Sequence, residues 1–287
     1  MDATELLKKV RYIEIKTRGL SREVFAGEYH SAFKGKGMAF SEVREYHYGD
    51  SIRNIDWNVT ARFNHPFVKI YEEERELTVM LLIDVSGSRA FGTTIRFKQE
   101  LITEIAAVLS FSAIQNNDKI GVLFFSDKVE KFIPPKKGKK HILRIIKDLL
   151  DFQPDNSGTS IAEALRYFTN AIKKRSIAFI ISDFIDTGFE EACRIANNKH
   201  DVIAVKVFDP RETELPSIGL VKMKDAESGK YRWIDTSSRK TRNEWSEWWR
   251  KNNHKLQEIL LKSGIDFINI RTDQDYIKPL LGLFKSR

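Results

Sequence analysis

LTVMLLIDVSGS, residues 77–88, runs without a polar side chain from Val79 to Ile83 and then meets Asp84, Ser86 and Ser88 at alternate positions. An apolar run of that length reads as a strand buried on both faces, the usual state of a central parallel strand. The switch to Asp-x-Ser-x-Ser places one carboxylate and two hydroxyls in the loop at the strand's carboxyl end, where open α/β sheets bind ligands. Oxygen donors of this kind suit a small hard cation such as Mg²⁺, and Gly87 allows the turn to approach it closely. Taken alone, the same letters also fit an aspartate capping the next helix, followed by two solvated turn serines.

Beyond Ser88, strands and helices alternate. A helix over 97–112 carries the apolar stripe Phe97, Leu101, Ile105, Val108 and Leu109. KIGVLFF (119–125) reads as the next strand, with 129–133 paired to it as an antiparallel edge that Pro134 and Pro135 close. Helices follow over 141–150 and from about 160 to 172. A second wholly apolar strand, 177–181, also ends at an acid, Asp183. A helix over 189–197 and a strand over 202–208 complete a pattern that predicts a doubly wound, mostly parallel α/β sheet. Two strands around an ESG turn, 218–235, read as a β-hairpin extension. A long helix over 241–262, a strand over 265–270 and a helix from about 274 end the chain.

Upstream the texture differs. Residues 2–18 fit a short amphipathic helix with Leu6, Val10 and Ile13 on one face. Residues 21–76 mix glycines, aromatics and arginines and read as a small β-rich module, with a half-exposed strand from Phe67 to Tyr71. Its arginines are expected to pair with acids such as Glu42, Glu45, Asp50 and Asp56. The GKG at 35–37 lacks the ending and context of a P-loop. The chain is thus divided into 1–76 and 77–287.

Three strand-end loops then supply oxygen donors: Asp84, Ser86 and Ser88; Thr159 in SGTS; and Asp183. On one edge of a parallel sheet they can converge despite their separation in sequence. This ordered set resembles the metal-ion-dependent adhesion site of von Willebrand factor A-like domains. The resemblance implies that Asp84, Ser86, Ser88, Thr159 and Asp183 hold Mg²⁺ (Mn²⁺ or Ca²⁺ as substitutes), with an acidic side chain of a partner completing the shell. Arg89, Phe91, Asp155, Ser157 and Gly158 would form the rim. The preceding stretch, from Gly35 and Gly37 through Glu42, Arg44, Gly49–Asp50, Arg53, Ile55–Asp56–Trp57 and Ala61–Arg62 to Val68–Lys69, is similar to the signature of the bacterial DUF58 family. Arg89 departs from the methionine frequent after the last serine. That resemblance implies a non-enzymatic adaptor that works with MoxR-type AAA+ ATPases or other A-domain proteins in remodelling or maturation.

Composition narrows the alternatives. A single cysteine, Cys193, excludes an internal disulfide framework and reads as a packed thiol. No stretch has the length of a membrane span and no signal peptide is evident, so the chain reads as cytoplasmic. The net charge of +8 favours an acidic partner, an anionic lipid surface or nucleic acid only weakly, because the basic residues are scattered among many acids and form no single block. Trp245, Trp249, Leu256 and Leu260 fit one buried helical face, with Trp248 off its centre as a candidate contact. A metal-dependent phosphohydrolase and a nucleic-acid-binding protein remain the alternative functions, the first lacking an evident nucleophile or general base.

Overall fold

The computed structural model describes residues 11–13, 39–63, 65–72, 77–90, 97–156, 158–224 and 231–287. These fall into two compact units, one within 33–77 and one holding the rest. Of the helix expected over 2–18, only 11–13 lie within the described residues; they are helical, with Ile13 buried.

In the smaller unit β1 (Ala39–Glu45) pairs antiparallel with β2 (Phe67–Glu72), with a register shift between Phe40 and Glu42. Between them in the chain comes a helix, α1 (Trp57–Phe63), within a segment expected to be β-rich. Its start is set by Asp56, whose Oδ1 accepts from the backbone N–H groups of Asn58 and Val59 at 3.0 and 3.2 Å. Arg44 forks onto Asp50 through two hydrogen bonds of 2.7 and 2.8 Å, so this signature arginine is spent inside the unit, as its acidic neighbours suggested.

The larger unit is a six-stranded, mostly parallel sheet. Its strands are β3 (Thr78–Asp84), β4 (Lys119–Phe125), β5 (Val129–Lys136), β6 (Ile177–Ser182), β7 (Asp201–Phe208) and β10 (Asp266–Arg271), in the order β10-β7-β6-β3-β4-β5. Only β5 runs antiparallel. Every residue of β3 is buried, which is why its sequence carries no alternation. The chain leaves β3 towards β4 on one side and returns to β6 on the other. The order therefore reverses between β3 and β6, and the carboxyl ends of those two strands flank the switch point.

Helices cover both faces. α2 (Lys98–Gln115) packs on β3, β4 and β7 and against α3 (Lys139–Asp151). On the opposite face Met80, Leu82, Ala178, Ile180 and Ala204 form one core with Leu165 and Phe168 of α4 (Ile161–Ala171), Cys193 of α5 (Glu190–Lys199) and Leu256 and Leu260 of α7 (Arg239–Lys262). Burial pushes the Cys193 thiol up to about 12, in keeping with a packing role. A short α6 (Pro210–Thr213) follows β7. The hairpin β8 (Leu220–Lys224) and β9 (Tyr231–Asp235) makes its own two-stranded sheet, and α8 (Ile277–Lys285) ends the chain. Among the described residues no helix is long and apolar enough to cross a membrane.

Two expectations fail for local reasons. Pro134 and Pro135 do not close β5, which continues to Lys136. They sit where the pairing register shifts between Ile120 and Val122, so their missing N–H groups cost little in the ladder. Phe97 is 54% exposed and caps α2 instead of joining its buried stripe. A Cβ at Gly121 would meet the backbone nitrogen of Pro135 at 2.9 Å and the Met80 sulfur at 2.6 Å. Gly121→Ala is therefore expected to lower stability by about 1–3 kcal/mol, measured as a lower urea midpoint at unchanged slope.

Candidate metal centre

Asp84 is the last residue of β3 and is 3% exposed. Its Oδ1 accepts from the Ser86 backbone N–H at 2.9 Å, which turns the chain, and its Oδ2 accepts from the Ser182 hydroxyl at 2.6 Å. It does not cap α2, whose cap position is Phe97 with no side-chain hydrogen bond. The Ser86 and Ser88 hydroxyls lie 3.1 Å apart. From the end of β6, Asp183 enters the same neighbourhood. Its Oδ1 accepts from the Ile185 N–H at 3.3 Å. Phe184, at φ +57°, turns in the left-handed region, and its N–H donates to the Ser182 hydroxyl at 3.0 Å. Thr159 precedes α4 and lines, with Asp183, Ile185 and Asp186, a cavity of about 400 Å³. Asp186 ties those two loops together by accepting from the Ile161 N–H at 2.8 Å.

The structure thus links Asp84, Ser86, Ser88 and Asp183 and sets Thr159 in the cavity that Asp183 lines. Of the expected rim, Asp155 is exposed and accepts from Lys128 Nζ at 3.2 Å. Gly158 lies against Asp127, whose Cβ an added methyl would meet at 3.4 Å. Phe91, Ser157 and the Arg89 side chain lie outside the described residues.

Sequence reasoning missed Lys98. Its ammonium, 2% exposed, donates to Asp183 Oδ2 at 3.0 Å and to Glu212 Oε1 at 2.6 Å. Glu212 belongs to a capping box: its Oε2 accepts from the Asp209 N–H at 2.9 Å while Asp209 Oδ1 accepts from the Arg211 N–H at 2.9 Å. The signals were present, since Lys98 stands three and four residues before the buried Leu101 and Ile102, and DPRE at 209–212 spells the box.

Burial alone would raise Asp183, but the Lys98 ammonium, the Ser88 hydroxyl and the Ile185 N–H hold it below the usual carboxylate range. Asp84 is pushed the other way. Burial and then the charge of Asp183 raise it to about 6, against hydrogen bonds from Ser182 and Ser86. Among the described residues no cation pairs with Asp84, which accepts from the Ser182 hydroxyl and the Ser86 backbone N–H. The donor set fits a hard divalent cation through the Asp84 carboxylate, which has no cation beside it among the described residues, with the Ser86 and Ser88 hydroxyls and the Lys98-paired Asp183 next to it. It does so without a third acid, for among the described residues no three His, Cys, Asp or Glu side chains are grouped to hold a metal.

The chain belongs to the family described as protein of unknown function DUF58, whose model matches residues 42–255. It is 28% identical to the uncharacterized protein Rv1480 of Mycobacterium tuberculosis over 290 aligned residues, covering 100% of this chain and 91% of the relative. It is similar in fold to the conserved hypothetical protein BatB of Bacteroides thetaiotaomicron (TM-score 0.50, 16% identity, 73% of this chain and 98% of the other). A second similar structure is an aerotolerance-related membrane protein of Bacteroides fragilis (TM-score 0.51, 17% identity, 73% and 97%).

Two outcomes follow from the buried charges. Lys98→Met strands Asp183 and Glu212 and should cost about 3–5 kcal/mol in urea unfolding, much of it recovered when Asp183→Asn and Glu212→Gln are added. In chelator, burial and the Asp183 charge let folded Asp84 hold its proton up to about pH 6, above the ordinary carboxylate range. Its contribution to stability should therefore fall as pH rises from about 4 to 6, and Asp84→Asn should flatten that part of a melting-temperature profile.

Proposed function

We propose that this protein is a non-enzymatic, Mg²⁺-dependent protein-binding adaptor of the von Willebrand factor A-like kind, acting with a MoxR-type AAA+ ATPase or another A-domain protein. The observation that carries the metal reading is the buried Asp84 carboxylate, which no cation pairs among the described residues. Mg²⁺ would be held by Asp84, Ser86 and Ser88, with Thr159 and Asp183 beside it. It would supply a Lewis-acidic position for a carboxylate from the partner.

The chain's own part is to hold that donor set rigid. Ser182 orients Asp84 from the neighbouring strand, and Lys98 anchors Asp183 from the far side of the sheet edge. One ammonium serves both Asp183 and Glu212, leaving the charge of Asp84 for the ion. Trp248, 47% exposed, and Ile185, 36% exposed, stand on the same cavity and offer apolar contact to a partner next to its acidic group. The partnership with an ATPase comes from the family resemblance, and the cytoplasm, where ATP is supplied, belongs to the same reading.

The test is a pull-down from native lysate in Mg²⁺ and in EDTA, with the bound proteins identified by mass spectrometry. An AAA+ ATPase or A-domain protein should be enriched with the wild type only in Mg²⁺. Asp84→Ala, or the isosteric Asp84→Asn, should lose it while keeping its circular dichroism, and neither should melt higher on adding Mg²⁺. Equal recovery in EDTA, or full capture by a folded Asp84 variant, would overturn the proposal.

A further inference from the structure

Lys206 lies near the carboxyl end of β7 and is 6% exposed. Lys98, also buried, meets two carboxylates; Lys206 meets none within ion-pair distance among the described residues. Its ammonium donates to Asn253 Oδ1 at 3.0 Å and lies 5.6 Å from the ring centroid of Trp249 and 5.8 Å from that of Phe208. Burying an ammonium against one neutral amide and two ring faces is costly. Burial accordingly loosens its hold on the proton, and Asp183 and Glu212 oppose this only through space. A second donor nearby is also unmatched: Trp249 is 6% exposed and its indole N–H has no hydrogen-bond partner among the described residues.

Both side chains line a cavity of about 230 Å³ with Phe208, Asn253, Asn269 and Arg250. Asn269 pairs in register with Lys206 across β10 and β7, so the two side chains leave the same face of the sheet. Arg250 is exposed.

We propose that this cavity is a binding site for a small monocarboxylate. The carboxylate would accept from the Lys206 ammonium on the floor, the asparagine amides would add neutral donors, and the apolar body of the acid would rest on Phe208 and Trp249. Glu214, on the same wall, disfavours a dianion such as phosphate. The inference stands apart from the metal reading, because no candidate metal donor lines this cavity. Lys206 and Trp249 also face the cavity that holds Thr159 and Asp183, so occupancy on one side changes the wall of the other.

The experiment is calorimetric titration of the full chain in EDTA with propionate, benzoate, inorganic phosphate and acetyl-glutamate amide, with the indole N–H resonances followed by NMR. Benzoate or propionate should bind one per chain and move the resonance that Trp249→Phe deletes. Lys206→Met, which removes a buried charge and keeps the side-chain length, should fold at least as stably and bind roughly ten- to a hundred-fold more weakly. Preference for the blocked glutamate would mark a protein side chain as the source of the carboxylate, and preference for the free acids a small molecule. Absence of saturable binding, retained affinity in Lys206→Met, or tighter binding of phosphate would each overturn the proposal.

Discussion

One ammonium holds the carboxyl edge of this sheet together. Lys98 starts α2, yet it bonds Asp183 at the end of β6 and Glu212 in α6. Through Glu212 the constraint extends to α7: the backbone carbonyl of that residue accepts from the Trp245 indole at 2.7 Å, and the carbonyl of Thr213 from the Ser246 hydroxyl at 3.3 Å. Segments more than a hundred residues apart thus share one buried charge. A charge so placed is useful for geometry more than for stability, since its desolvation offsets much of what the ion pairs contribute.

Around that ammonium the buried charges do not balance. Asp84, Asp183 and Asp209 are buried and Glu212 is mostly so, against Lys98 and the more distant Lys206. Among the described residues Asp84 has hydroxyl and amide donors only, and Lys206 has an amide and two rings. The two groups are opposite in sign, and the proposed cation and anion sites rest on them. Membership in DUF58 and likeness to BatB set the family and the fold. The chemistry proposed here rests on those uncompensated groups.

Much of the fold was legible. β3, β4, β6 and β7 appeared within a residue or two of their ends because strands buried on both faces need continuous apolar runs. Ser160 and Ser238 mark the starts of α4 and α7 by capping them. The misses have equally local causes. Trp57–Phe63 mixes aromatic, β-branched and polar residues without a helical stripe, and none of it is buried, so periodicity had nothing to report. Phe97 looked like the top of a stripe, but the helix begins one residue later and the buried position fell to Lys98.

Asp84, Ser86, Ser88, Thr159 and Asp183 could be named as a set from the chain alone, because strand ends in a parallel sheet share an edge and their residue types are visible in one dimension. Which acid is compensated could not be named that way. Lys98 is one of 48 basic residues, and its choice of Asp183 and Glu212 over Asp84 depends on how α2 and α6 pack at the sheet's edge. The isolation of Lys206 is likewise a property of three dimensions. A cation is unpaired only with respect to everything that folding brings near it, and burial sets the cost of leaving it so.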